Sequence, residues 1–125
     1  MNVKIKKIAN GGELDKERVV FSVIEDTPIG TNMVMKTKTL SEKKVSSSIE
    51  QTFWFPDKDV KKGDLVVLYT KKGINTESQN DDGTTTHFFY LGLDSPIWND
   101  AEDAVLLVET DGNWSARSVS DGESV

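Results

Sequence analysis

The chain contains no cysteine. Disulfides, thiolate nucleophiles and cysteine-ligated zinc are therefore excluded. It contains one histidine, His87, which rules out a metal site built on paired imidazoles and a relay between them. No apolar run is long enough to cross a bilayer, so no membrane partner is expected. There is no Gly-x-Ser-x-Gly elbow to present a serine. Lys62-Gly63-Asp64 lacks the spacing and the hydroxyl partner of a phosphate-binding loop. Nothing calls for a cofactor.

What remains is 125 residues, 36% apolar and 29% charged. That is one domain's worth of chain, with enough core to need no covalent staple. The net charge of −6, from 21 acidic and 15 basic residues, disfavours general binding to nucleic acid or anionic membrane. The early lysines (Lys4, Lys6, Lys7, Lys36, Lys38, Lys43, Lys44) weaken that exclusion locally. Solvated strand faces and protected sheet edges account for them. The basic opening segment lacks the apolar stretch and cleavage site of a secretory signal, so a soluble, cytoplasmic protein is expected.

The patterning is that of short strands. Lys4 to Ala9 alternates, and Asn10-Gly11-Gly12 breaks it. Arg18 to Glu25 is β-branched and aromatic. Asn32 to Leu40 alternates with neither face purely apolar, which predicts an edge or half-exposed strand. Ser41 to Ser48 reads as a loop. Ile49 to Phe55 puts Phe53 and Phe55 on one face and Trp54 on the other, and Pro56 ends the pairing. Asp64 to Thr70 reads as a central strand buried on both faces. Gly73 to Thr86 is a long polar loop, of the kind that is usually functional or disordered. His87 to Leu93 restarts the apolar pattern. Ala104 to Val108 and Trp114 to Val119 are expected to form a closing hairpin around Asp111-Gly112. Frequent turns and no amphipathic helix call for an all-β, immunoglobulin-like antiparallel sandwich of about seven to nine strands. It should occupy residues 1–120 as a single domain, with a flexible tail over 121–125.

The second half, residues 49 to 119, resembles the lamin tail domain, an immunoglobulin-like sandwich found at the ends of nuclear lamins and in many bacterial proteins. The resemblance rests on Phe53, Phe55, Pro56, Gly63, Asn99, Asp103, Leu107 and Gly112. The proline usual before the glycine is Lys62, the glycine before the acid is Glu102, and the Gly-Trp pair of the third strand is absent. The resemblance implies a non-catalytic module that binds proteins, and sometimes nucleic acid or surfaces, with no catalytic residues to carry over. A homo-oligomer is compatible with it.

Three groups of side chains suggest chemistry. Asp94, Asp100, Glu102 and Asp103 suit calcium by residue type, or a carboxylate-based hydrolase. They lack calcium-loop spacing, and adjacent Glu102 and Asp103 point to opposite faces of a strand. Turn capping by short acids is the plainer account. His87 follows a threonine run and is assigned a structural or surface role. Among the aromatics, Phe89 and Trp98 are expected in the core. Trp54 and Trp114 stand out as exposed anchors, since tryptophan is enriched at interface hot spots. The expected contact surface combines those two with the polar loop residues Gln79, Asn80, Asp81 and Asp82, facing a protein partner. A homo-oligomeric component of a larger particle is the other non-catalytic alternative.

Overall fold

The computed structural model describes residues 1–121. The tail expected over 121–125 lies, beyond Asp121, outside the described residues. The chain is an all-β sandwich. Its strands are β1 (Val3–Ala9), β2 (Arg18–Val23), β3 (Thr27–Pro28), β4 (Asn32–Ser41), β5 (Lys44–Val45), β6 (Gln51–Trp54), β7 (Asp59–Val60), β8 (Leu65–Tyr69), β9 (Thr76–Gln79), β10 (Thr85–Tyr90) and β11 (Asp103–Glu109). Eight of these exceed two residues, in line with the number expected from the pattern. Single 3₁₀ turns at Ile29–Thr31 and Val119–Asp121 are the helical elements described.

The larger sheet has the order β1-β2-β8-β10-β9. All its pairings are antiparallel except β8 with β10, which run parallel from Leu65/Thr86 to Tyr69/Tyr90. This departs from a purely antiparallel sandwich. It arises because the chain leaves β8, skips a strand position to lay down β9, and returns as β10 in the gap. The second sheet has β4 at its centre, with β11 on one side and β5 and β6 on the other. A two-residue ladder joins β3 to β7.

Alternation places Val19, Phe21 and Val23 of β2, Val66 and Leu68 of β8, and Phe89 of β10 in the core with Val34, Phe55 and Trp98. Phe55 is the hub. Its ring meets Phe21, Phe53 and Phe89 edge to face at 5.9, 5.1 and 5.1 Å. Such pairs add about 0.5–1.5 kcal/mol each beyond the area they bury. Val20 and Val67 are buried too, but they point to the outer face of the larger sheet, so β8 is covered on both sides as expected. There Tyr69 stacks on Tyr90 at 5.5 Å, and Lys71 Nζ lies 4.9 Å from the Tyr69 ring.

Four expectations need correction. Asn32 to Leu40 is half-exposed but is not an edge strand: β4 is central. The lysines on its inward-facing side misled the pattern, because Lys36 and Lys38 are neutralised across the register by Asp103. Ser41 to Ser48 is not simply a loop, since Lys44–Val45 turns back onto β4. Gly73 to Thr86 is not one long loop either. Thr76–Gln79 pairs with β10, a strand held by backbone bonds with all four side chains exposed and so without a hydrophobic signature. Finally, Trp114 to Val119 forms no strand and no closing hairpin. A glycine at φ +89° (Gly112) turns the chain, but the segment after it is free of ladder bonds and reaches Trp54 instead.

One buried charge ties the loops to the sandwich. Glu17 is fully buried. Its carboxylate accepts from Gly12 N at 2.9 Å, Ile97 N at 2.9 Å, Trp98 N at 3.4 Å and the Thr70 hydroxyl. Three segments far apart in sequence meet at this side chain. Burial of a carboxylate is tolerated only with such a set of donors.

Candidate functional site

Trp54 is the last residue of β6, one step before the core residue Phe55. The period of two along the strand turns it outward, and it is 47% exposed. Its indole N–H donates to Gly30 O at 2.7 Å, which fixes the ring against the 3₁₀ turn at Ile29–Thr31. Trp114 is 68% exposed and follows the turn that closes β11. That turn is anchored by Thr110, whose N and Oγ1 both donate to Thr31 O, at 2.8 and 3.2 Å. The two anchorings converge, so that the indoles meet edge to face, with centroids 5.3 Å apart and planes at 85°.

The rings form part of the wall of a groove of about 560 Å³, together with Pro28, Pro56, Asp57 and Thr110. The volume lies within the range of small-molecule and side-chain pockets. Gly30 shapes its floor: a Cβ there would sit 2.3 Å from Asp57 Oδ1. Prolines and glycine keep the walls thin. Pro28 and Pro56 present no N–H that a ligand would have to satisfy.

The polar residues expected beside the tryptophans lie elsewhere. Gln79, Asn80, Asp81 and Asp82 end β9 and form the turn into β10. Asn80 N donates to Thr84 O at 2.8 Å, and Asp82 Oδ1 accepts from Thr84 N and Oγ1 at 3.0 and 2.6 Å. Those bonds hold the Asp82 carboxyl below the usual carboxylate range, the Thr84 hydroxyl contributing most. Among the described residues, neither tryptophan shares a hydrogen bond or ring contact with this turn. An ion pair between Lys58 and Glu77 at 2.8 Å joins β9 to the segment that carries Asp57.

The acidic region is also occupied internally. Lys38 Nζ contacts Asp103 Oδ1 at 2.5 Å and Asp100 Oδ2 at 3.2 Å, Lys36 Nζ lies 3.5 Å from Asp103, and Lys72 Nζ lies 3.1 Å from Asp94. The Asp103 side chain is 2% exposed. Burial opposes its charge, but the Lys38 hydrogen bond, the Asp100 amide and the charge of Lys36 outweigh burial and hold its carboxyl below the ordinary value. Lys38 is held above its own, chiefly by the hydrogen bond to Asp103. No group of three or more acidic or histidine side chains suited to a metal occurs among the described residues.

His87 was missed as a partner of Asp64. Both are buried, and Nε2 lies 2.8 Å from Asp64 Oδ2. Asp64 also accepts from Lys61 N at 3.0 Å and Thr85 N at 2.9 Å. Burial opposes the charge, but the His87 bond and these amides hold the carboxyl below its usual range. The pair clamps the entrance of β8 to β10. No sequence signal marks it, because the two residues come from different strand starts.

Compared with known proteins, the chain matches no family model and no curated sequence. The lamin-tail resemblance therefore rests on the residues that carry it. Of those, Phe55 is buried, Phe53 and Leu107 pack against the core, and Gly63 and Gly112 adopt φ +91° and +89°. Among the described residues no helix is long and apolar enough to cross a membrane.

Proposed function

We propose that the chain is a non-catalytic binding module of the lamin-tail type, which engages a partner protein through the groove walled by Trp54 and Trp114. The observation that carries this is the pairing of two exposed tryptophans from distant segments over a groove of about 560 Å³. Tryptophan is the residue most enriched at binding hot spots, where a few buried anchors dominate the energy. The Trp54 ring is fixed by its bond to Gly30 O, and the turn before Trp114 by Thr110 bonding Thr31, which lowers the ordering entropy lost when a partner docks.

The acidic residues Asp94, Asp100 and Asp103 are paired with lysines, which supports binding over carboxylate hydrolysis as their context. The proposal includes a cytoplasmic location. The test is affinity capture from the native host with the wild-type chain and with Trp54→Ala and Trp114→Ala. A partner retained by the wild type and lost by both variants supports the proposal. A partner retained equally by all three overturns it.

A further inference from the structure

We infer that the groove takes a cationic side chain, a lysine or arginine presented by the partner protein. This rests on the tryptophan groove being the binding surface and adds the chemistry of its occupant.

The argument starts from charge. Among the described residues that line the groove, Asp57 is the one with a formal charge. Its carboxylate is exposed, and no hydrogen bond or ion pair engages it among the described residues. Most other acids on this chain that face a neighbouring lysine are paired with it, as at Asp94, Asp100, Asp103 and Glu77. Asp57 is not, even though Lys58 is adjacent. Lys58 is drawn to the opposite side by Glu77 at 2.8 Å and lies 6.0 Å from the centre of the Phe89 ring. The absence of a Cβ at Gly30 lets the Asp57 carboxylate lie against the 3₁₀ turn, on the floor of the groove.

The aromatic walls carry the same sign. An indole face is electron-rich and is the best of the natural rings at attracting a cation. With the two planes at 85°, they form two sides of a corner, and Asp57 supplies a negative floor. Asp111 adds to the field from between two lining residues, Thr110 and Gly112, while its own carboxylate caps Asn113 N at 3.0 Å. Among the described residues no lysine or arginine lines the groove, so an anionic occupant would meet repulsion from the charged group described there. A neutral apolar side chain would fill the corner but leave the Asp57 charge desolvated and unpaired, which is costly. A long aliphatic stem with a cationic head satisfies both surfaces: the stem packs on the rings and the head pairs with the carboxylate.

The test is a random peptide library displayed on phage and selected on the full chain, followed by binding measurements on enriched peptides and on versions in which the basic residue is replaced by glutamine. The expected result is enrichment of peptides with a recurrent lysine or arginine. Replacement by glutamine should weaken binding at least about tenfold, as a partly desolvated cation–π contact with a carboxylate partner requires. Asp57→Asn should weaken that preference for charge, leaving the share the indole faces supply; an undiminished preference would overturn the role of Asp57. Trp114→Ala should weaken all enriched peptides alike. Far-ultraviolet circular dichroism and urea unfolding check that the variants keep the fold, which these exposed positions permit. Enriched peptides without a basic residue that still depend on Trp54 and Trp114 would overturn this inference and leave the groove as the binding surface. Enriched peptides insensitive to both tryptophans would overturn the groove itself. Failure to enrich any peptide would also count against the inference.

Discussion

Trp54 and Trp114 touch edge to face at 5.3 Å, yet one sits on a strand and the other on an irregular segment. Neither ring belongs to the core, so their contact holds the segment after β11 onto the second sheet. A double-mutant cycle on stability, with Trp54→Ala, Trp114→Ala and the pair, is expected to give a coupling of about 0.5–1.5 kcal/mol. Each single change should cost little in urea unfolding. A coupling indistinguishable from zero would mean the rings do not pack in solution.

Glu17 should be among the most sensitive positions outside the apolar core. Glu17→Ala leaves the Gly12, Ile97 and Trp98 amides and the Thr70 hydroxyl without an acceptor. The Thr70 and Trp98 donors are buried, and each buried donor so abandoned costs about 1–3 kcal/mol, while the part-buried Gly12 and Ile97 amides cost less. Partial relaxation of the loops makes a total loss of about 3–5 kcal/mol the expected outcome in denaturant titration. A loss below about 1 kcal/mol would show that the carboxylate is not the tie it is taken to be.

Acid stability follows from Asp103 and Asp64. Both carboxyls are held below their ordinary values in the folded chain by hydrogen bonds, from Lys38 and His87 first, that outweigh burial. A folded value below the unfolded one means that stability is fully present above the unfolded value of about 3.9 and is lost as pH falls through the folded value. The contribution of these two carboxyls to the Tm should therefore be constant above about pH 5 and be lost as the pH falls below about 4. Asp103→Asn should lower the Tm at pH 7 and flatten the acid limb. An unchanged acid limb in that variant would remove Asp103 from the account.

Gly73 lies where the chain crosses from β8 towards β9. A Cβ at this position would stand 2.4 Å from Tyr90 ring atoms, so Gly73→Ala should cost about 1–3 kcal/mol through overpacking. The cost should largely vanish in a Tyr90→Ala background, because the obstacle is then gone. Gly83→Ala meets nothing within 4 Å but has φ +87°. Its cost of about 1–2 kcal/mol should be conformational and independent of Tyr90.

The parts of this fold that could be read from the residues are those in which side chains report burial. Val19 to Val23, Val66 to Leu68 and the Phe53/Phe55 pair declare inner faces by alternation, and Trp54 declares its outward turn by the same rule. That Trp54 and Trp114 are exposed was legible at each residue separately. That they meet was not, because the segment carrying Trp114 is held by one turn and no ladder. β9 escaped notice since its four residues are all exposed and polar. Lys36 and Lys38 made a central strand look like an edge because a lysine's ion pair across a sheet leaves no trace in its own segment. Glu17 was hidden in the charged run Asp15-Lys16-Glu17-Arg18, which looks like solvent-facing sequence, and the Asp57 floor of the groove depends on the missing Cβ of a glycine in another loop.

The parallel neighbours β8 and β10 leave β9 a dependent strand. It has no ladder to β8, because β10 lies between them, so its hold on the larger sheet runs through β10 alone. The hairpin of β9 and β10 is closed locally by the bond from Asn80 N to Thr84 O, and His87 on Asp64 fastens that hairpin to the entrance of β8.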